Sequence, residues 1–337
     1  MKSIRPFILP VVAALAASAA VSTAQAQSTA TTSPVGYTTV EIQGSSTGNP
    51  VYSLVQFPMM NASSFQGTTT SVAGSALTFD GTPFTSGAFD EASGVANYIA
   101  IVNSAEGEGT VYDIVSNTAS AITVVGDVAQ TSPLSISVVK TETAADIFGT
   151  GTDYVLQGGG NPASADVFYV GRGTALEGFY YKTGFGSGYK TLSGAAVSSL
   201  NIYPGESVLI ERKAAGDVSI VDVGSVKTET TLVPVGTGYV SGATGFPVAT
   251  TLDDSNLLAS GLQGGGNAAS ADRVFLTSAA GVIDAYFYKT GFGSGWKAVA
   301  GGASAGDTVI GETTGVLILS KSSTPFNWSV AVPYVQN

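Results

Sequence analysis

The chain has no cysteine and no histidine, only 3 methionines, and charged side chains at just 11% of its residues. Without cysteine there is no disulfide and no lipid-accepting thiol, so stability has to come from hydrogen-bonded sheet and apolar burial. The missing histidine removes the commonest general base and the commonest metal ligand. Lys and Arg number 13 against 24 Asp and Glu, which argues against nucleic acid or an anionic membrane as partner, since both require clustered positive charge. Long hydrophobic runs are scarce too. No stretch approaches the roughly 20 apolar residues of a transmembrane helix.

What is present begins with an export signal. Lys2 and Arg5 precede an apolar run over 7–21, and Ala24-Gln25-Ala26 supplies the small residues of a cleavage site. Residues 1–26 are therefore read as a signal peptide and 27–34 as a flexible polar leader. Cleavage removes two basic and no acidic residues, leaving a net charge of 11 − 24 = −13. The expected location is outside the cytoplasm: secreted, at the cell surface, extracellular or periplasmic.

The rest is rich in Gly (43), Ser, Thr, Ala and Val with aromatics throughout, unlike the charged, apolar-poor composition of disordered chains. Short β-branched or alternating runs recur at roughly 8–12 residue spacing between Gly, Asn, Pro and Ser, as in 38–42, 51–55, 67–72, 76–79 and 95–102. Residues 144–148 read as one helical turn. The fold class is all-β, with short antiparallel strands in two or three sandwich- or barrel-like modules.

The C-terminal two modules read as a duplication. Lys182-Thr-Gly-Phe-Gly-Ser-Gly188 recurs unchanged as Lys289 to Gly295, 107 residues later, and Leu156-Gln-Gly-Gly-Gly-Asn161 recurs as Leu262 to Asn267, 106 later. The offset change places the extra residue at Arg273. With Lys140-Thr-Glu-Thr143 and Lys227-Thr-Glu-Thr230 as boundary strands, the division is an N-terminal β module over 35–143, a first repeat over 144–230 and a second over 231–337. The repeated loop lies between aromatic strands and reads as a hairpin tip, its glycines at positive φ and the Phe185 or Phe292 ring folded back.

Candidate chemistry is sparse. Neither glycine-rich string opens a helix or ends in the Lys-Ser/Thr of a phosphate loop. The weak ligand-binding candidates are Tyr180, Phe185, Tyr189, Phe287, Phe292 and Trp296, whose rings stack on sugars if they face solvent and fill the core if they do not. Asp166 and Asp272, the pair Asp253 and Asp254, and the pair Asp90 and Glu91 read as turn caps rather than calcium ligands, because no Asp-x-Asp-x-Asp ladder is present. No catalytic residue, metal or cofactor is expected, and with no Gly-x-Ser-x-Gly elbow the chain reads as a non-enzyme.

Pro34-Val-Gly-Tyr-Thr-Thr-Val40, Phe65-Gln-Gly-Thr68, Ser71-Val72 and the 113–119 string Asp-Ile-Val-Ser-Asn-Thr-Ala come in an order that resembles an uncharacterised family of secreted proteins of Verrucomicrobia-type bacteria. Thr244-Gly-Phe-Pro247, Ala271-Asp-Arg-Val-Phe275, Tyr286-Phe-Tyr288 and Pro204-Gly-Glu-Ser-Val-Leu-Ile210 continue the likeness. Glu312-Thr-Thr-Gly315 departs from it where a Pro-Gly turn belongs. The resemblance implies export and an all-β fold, and no activity, cofactor or catalytic residue.

The function expected from these features is that of an exported, non-enzymatic structural or adhesive protein of the cell surface or extracellular matrix, with self-association or surface glycans as its contacts. The alternatives are a carbohydrate-binding module presenting aromatic hairpins and a filament subunit assembling by β-strand addition.

Overall fold

Short β-branched stretches divided by glycine-rich turns cannot propagate a helix, and they pair across their turns instead. The computed structural model describes residues 34–334 apart from positions 47, 93, 105, 106, 132 and 279. Over these residues the fold is all-β, as the sequence predicts. The signal peptide and residues 27–33 of the leader lie outside the described residues. Among the described residues no helix is long and apolar enough to cross a membrane.

The chain opens with β1 (Val35–Ile42), β2 (Val51–Gln56) and β3 (Met59–Met60). Six strands follow, β4 (Ser63–Ala73), β5 (Ala76–Phe79), β6 (Tyr98–Val102), β7 (Val111–Asn117), β8 (Ala121–Val124) and β9 (Ser135–Lys140), and they close into a barrel in the order β4-β5-β8-β7-β6-β9. Alternate residues of these strands point inward, so Leu77, Ile114, Ile122, Ile136 and Val138 are fully buried inside it. Register shifts in β4 and β7 accommodate its curvature.

The remainder runs β10 (Glu142–Thr143), α1 (Ala144–Phe148), β11 (Val167–Gly173), β12 (Leu176–Lys182), β13 (Gly188–Thr191), β14 (Asn201–Ile202), β15 (Ser207–Arg212) and β16 (Val218–Val226). After these come β17 (Thr231–Val235), β18 (Gly238–Gly242), β19 (Thr250–Thr251), α2 (Leu257–Ser260), β20 (Arg273–Thr277), β21 (Ile283–Lys289), β22 (Gly295–Ala298), β23 (Val309–Ile310), β24 (Val316–Ser320) and β25 (Phe326–Val330).

The pairing regroups the strands that the sequence assigned to the N-terminal module. β1 pairs β16 along its whole length and β2 pairs β15, so both belong with the segment that follows the barrel. Alternation tells which face of a strand is apolar but not which strand it will lie beside. Here Val40 and Ile42 are fully buried in one core with Val208, Ile210 and Ile220.

Taken with β1 and β2, the segment around the first glycine-rich hairpin has the same pairing plan as the second. β1-β16, β2-β15, β10-β14, β11-β15 and the sheet β11-β12-β13 correspond to β17-β25, β18-β24, β19-β23, β20-β24 and β20-β21-β22. Registers agree as well. Val167 lies opposite Glu211 and Tyr169 opposite Leu209, as Arg273 lies opposite Leu319 and Phe275 opposite Leu317. Arg273 thus occupies the position of Val167 and is not the added residue. The extra residue falls in the β20–β21 turn, where 278–282 replaces the shorter 172–175 between the paired ends Gly171↔Leu176.

Each segment has its own apolar core, one around Phe148, Phe168 and Ile210, the other around Val274, Ile318 and Trp328. The two are joined in one sheet with the order β13-β12-β11-β18-β24-β20-β21-β22, which puts the two repeated hairpins at its opposite ends. Of the expected boundary strands, 140–143 contributes the end of β9 and β10, whereas 227–230 is not strand. The Lys227 ammonium is buried there and donates to the carbonyl of Thr230 at 2.6 Å.

Candidate functional site

The repeated strings are hydrogen-bonded to each other. Gly159 N–H donates to the Tyr181 carbonyl at 3.1 Å and Thr183 N–H donates back to the Gly159 carbonyl at 3.0 Å; Gly265 with Tyr288 and Thr290 repeats both bonds at 3.0 Å. A side chain at Gly158 or Gly159 would run into Thr183 or Ser164, so close backbone approach accounts for glycine in the Gln-Gly-Gly-Gly-Asn strings. In the hairpins, Lys182 pairs Gly188 and Lys289 pairs Gly295. Gly184, Gly186 and Gly188, like Gly291, Gly293 and Gly295, have positive φ between 69° and 128°, as the tip reading requires.

The phenylalanines between them do not fold back. Phe185 is 99% exposed and Phe292 98%. At this exposure no apolar side chain among the described residues covers either ring.

The other aromatic candidates go the opposite way. Tyr180, Phe287 and Trp296 are buried at 3%, 7% and 2% exposure. Trp296 packs edge-on to Tyr288 with ring centroids 5.8 Å apart, within the second core. Tyr189 is half-buried against the first core, and its hydroxyl donates towards the carbonyls of Ala144 and Gly149 at 2.9 and 2.7 Å. Tyr180 and Trp296 sit in apolar clusters, Tyr189 packs against the first core and Phe287 is buried, so these rings are not presented for stacking; both faces of β12 are covered, since Phe179, Tyr180 and Tyr181 are all buried.

The acidic candidates are latches and caps. Asp166 is fully buried and accepts from Gln157 N–H at 2.7 Å, Lys213 N–H at 2.7 Å and Arg212 Nη1 at 2.9 Å. Asp272 repeats the two backbone bonds, from Gln263 and Lys321. Asp254 accepts from the Thr251 hydroxyl at 2.8 Å, Asp146 likewise from Thr143 at 2.8 Å in the capping box of α1, and Asp90 accepts from Asn117 N–H at 2.9 Å. Among the described residues no three Asp or Glu side chains are grouped to hold a metal ion.

A cleft of about 580 Å³ lies where β7 of the barrel, the turn before β15 and the strands β17 and β18 meet. Its polar wall is built on the Tyr203-Pro-Gly-Glu206 turn, in which Glu206 N–H donates to the Tyr203 carbonyl at 2.9 Å and Gly205 takes φ +82°. Arg172, at the end of β11, forms a two-pronged ion pair with Glu206, Nε and Nη2 each 2.7 Å from a carboxylate oxygen. Its guanidinium carbon sits 5.2 Å from the centre of the Tyr203 ring. The Tyr203 hydroxyl donates to Asp113 Oδ2 at 3.0 Å. Burial pushes the Asp113 carboxyl above its ordinary range, opposed by the Tyr203 hydrogen bond and the charge of Arg172. Burial and the nearby Asp113 charge push Tyr203 up to about 12.

Sequence reasoning did not single out Asp113, Arg172, Tyr203 or Glu206, because they come from three distant stretches. One signal was available. Arg5, Arg172, Arg212 and Arg273 are the only arginines of the chain, and so rare a fixed charge on a β-strand calls for a partner. Compared with family models, curated proteins and solved structures, the chain matches none.

Proposed function

We propose that the protein is an exported, non-enzymatic adhesive or structural component of the cell surface or extracellular matrix, and that it makes contact through its two hairpin tips. The observation that carries this reading is the full exposure of Phe185 and Phe292 in loops of identical sequence. Turn geometry accounts for the glycines, but nothing in the fold accounts for either ring. An aromatic ring in water contributes nothing to folding, whereas burying it in a contact stabilises that contact by roughly 2–3 kcal/mol. The tips sit at opposite ends of one sheet, so one molecule presents two points of attachment, and simultaneous engagement raises avidity above that of either tip. The likeness to secreted proteins noted above supports export.

The aromatic-hairpin version of the glycan reading loses Tyr180, Phe287 and Trp296, which are buried. Donating the first strand to a neighbour would require Val35–Ile42 to give up its pairing with β16 at all eight positions. Immunogold labelling of intact cells that carry the gene tests the reading. Label on the outer surface or surrounding matrix is expected; protein confined to the cytoplasm, or a freely diffusing monomer that never associates with cells, overturns it.

A further inference from the structure

The outer edge of β1 is open. β1 ends the sheet β1-β16-β3, and among the described residues it pairs with β16 alone. Val226 N–H donates to the Pro34 carbonyl at 2.8 Å, next to the register in which Gly36 faces Gly224 and Val40 faces Ile220. Hydrogen-bonded positions alternate along an antiparallel ladder, so the even-numbered residues of β1 direct their backbone groups to β16. The N–H and carbonyl groups of Val35, Tyr37, Thr39 and Glu41 point the other way, where no other described strand pairs with them. Their side chains share an exposed face with β16. Val35 is 80% exposed and Tyr37 74%, beside Val221 at 61% and Val223 at 67%, with Tyr37 opposite Val223 and Thr39 opposite Val221.

Elsewhere the fold blunts its edges. The barrel is closed. β13 and β22, the end strands of the joint sheet, are bridged by returning loops at Lys190↔Ala196 and Lys297↔Ser304. β25 is covered by α2, where Ser329 N–H donates to the Ser260 hydroxyl at 3.1 Å. β17 is the counterpart of β1. Val233 faces Trp328 as Val40 faces Ile220, so Pro234 stands where β1 has Glu41, an outward-facing position at which proline removes the N–H that a new strand would use. β1 has none of these devices: no proline, no lysine and no register shift along its eight residues.

A row of outward N–H and carbonyl groups is completed by an extended strand, and a second β1 fits it. Two copies related by a two-fold axis run antiparallel. With Tyr37 opposite the partner's Thr39, all four outward residues of each strand are paired. Glu41 then faces the partner's Val35, so the only charged side chains of β1 lie at opposite ends of the new ladder. We propose that the protein forms a two-fold dimer by edge-to-edge pairing of β1, joining two three-stranded sheets into one of six strands. β1 keeps its pairing with β16 in this arrangement, and the dimer carries four hairpin tips. The proposal does not rest on adhesion through those tips.

The test is sedimentation equilibrium of the chain from residue 27 onward, over about 1 to 200 µM, because interfaces below roughly 1,200 Å² are weak. A monomer–dimer equilibrium is expected, with amide hydrogen exchange over 35–41 slowing as the dimer fills. Tyr37→Lys/Thr39→Lys sets four ammonium groups about the axis, and Glu41→Pro copies the protection of β17. Each should weaken dimerisation by about tenfold or more. These side chains are exposed, so melting temperatures should stay near the parent's, and the lysine pair decides the matter if the proline disturbs β1. The Phe185→Ser/Phe292→Ser double variant should dimerise as the parent does. A chain that stays monomeric to about 200 µM overturns the proposal; if deleting residues 27–33 then permits dimers, the leader is the occupant of the edge. A dimer indifferent to the lysine pair, or protection over 219–223 instead of 35–41, overturns it as well.

Discussion

Arg212 and Asp166 form an ion pair at 2.9 Å with both side chains almost wholly out of water, at 4% and 0% exposure. In the second segment the aspartate persists as Asp272, but the residue at the place of Arg212 is Ser320, whose hydroxyl is buried without a partner. One segment thus holds its buried carboxylate with an arginine and three backbone bonds, from Gln157, Lys213 and Ala214, the other with two backbone bonds alone.

The two latches should differ in cost when broken. Arg212→Met leaves Asp166 charged, buried and short of its counter-ion, and is expected to destabilise the protein by about 3–5 kcal/mol. Asp272→Asn loses only the charge-assisted part of two N–H bonds, about 1–2 kcal/mol. Urea unfolding followed by circular dichroism measures both. Equal losses would contradict the assignment of Arg212 as the partner that matters.

Stability should fall as pH rises through neutrality. Burial, then the charges of Asp222 and Asp146, raises Glu142 from 4.5 to about 7, and burial raises Asp222 from 3.8 to about 6 against a backbone bond from Met59. Both carboxyls are held protonated more tightly in the fold than in the unfolded chain. Their contribution is complete below about pH 4 and is lost as pH climbs through 6 to 7, a change on the order of 3 kcal/mol for the pair. Glu142→Gln should flatten this slope and raise the melting temperature at pH 8. A melting temperature that climbs steadily from pH 4 to pH 8 would contradict this reading.

Trp296 is placed as a core residue. Trp296→Ala should cost about 3–5 kcal/mol through lost burial and the cavity left beside Tyr288. Thermal melts measure it. Loss of less than about 1 kcal/mol would show that the ring lies outside the core.

The all-β class, the hairpin tips with their positive-φ glycines and the helical turn of α1 were legible in the sequence, because turn chemistry and strand alternation are local signals. The grouping of strands was not. β1 and β2 lie more than 140 residues from the strands they pair with, and the barrel between them hides the relation. Local pattern also left open whether an aromatic strand residue faces core or solvent: Tyr180 and Trp296 turned inward, while Phe185 and Phe292, in tips with no alternation to guide them, turned out. Asp113 and Arg172 come together only through the meeting of barrel and sheet, a contact that no spacing along the chain encodes.

Adhesion through the tips is measured most directly with the Phe185→Ser/Phe292→Ser double variant, because neither ring supports the fold and the change should leave the melting temperature within about 1 kcal/mol of stability. Binding of the purified parent and variant to cells stripped of the protein is quantified by surface fluorescence. The account predicts binding by the parent, at least a tenfold loss in the double variant, and a smaller loss in each single variant because one tip remains. Parent and double variant binding equally well, with both folded, would contradict it.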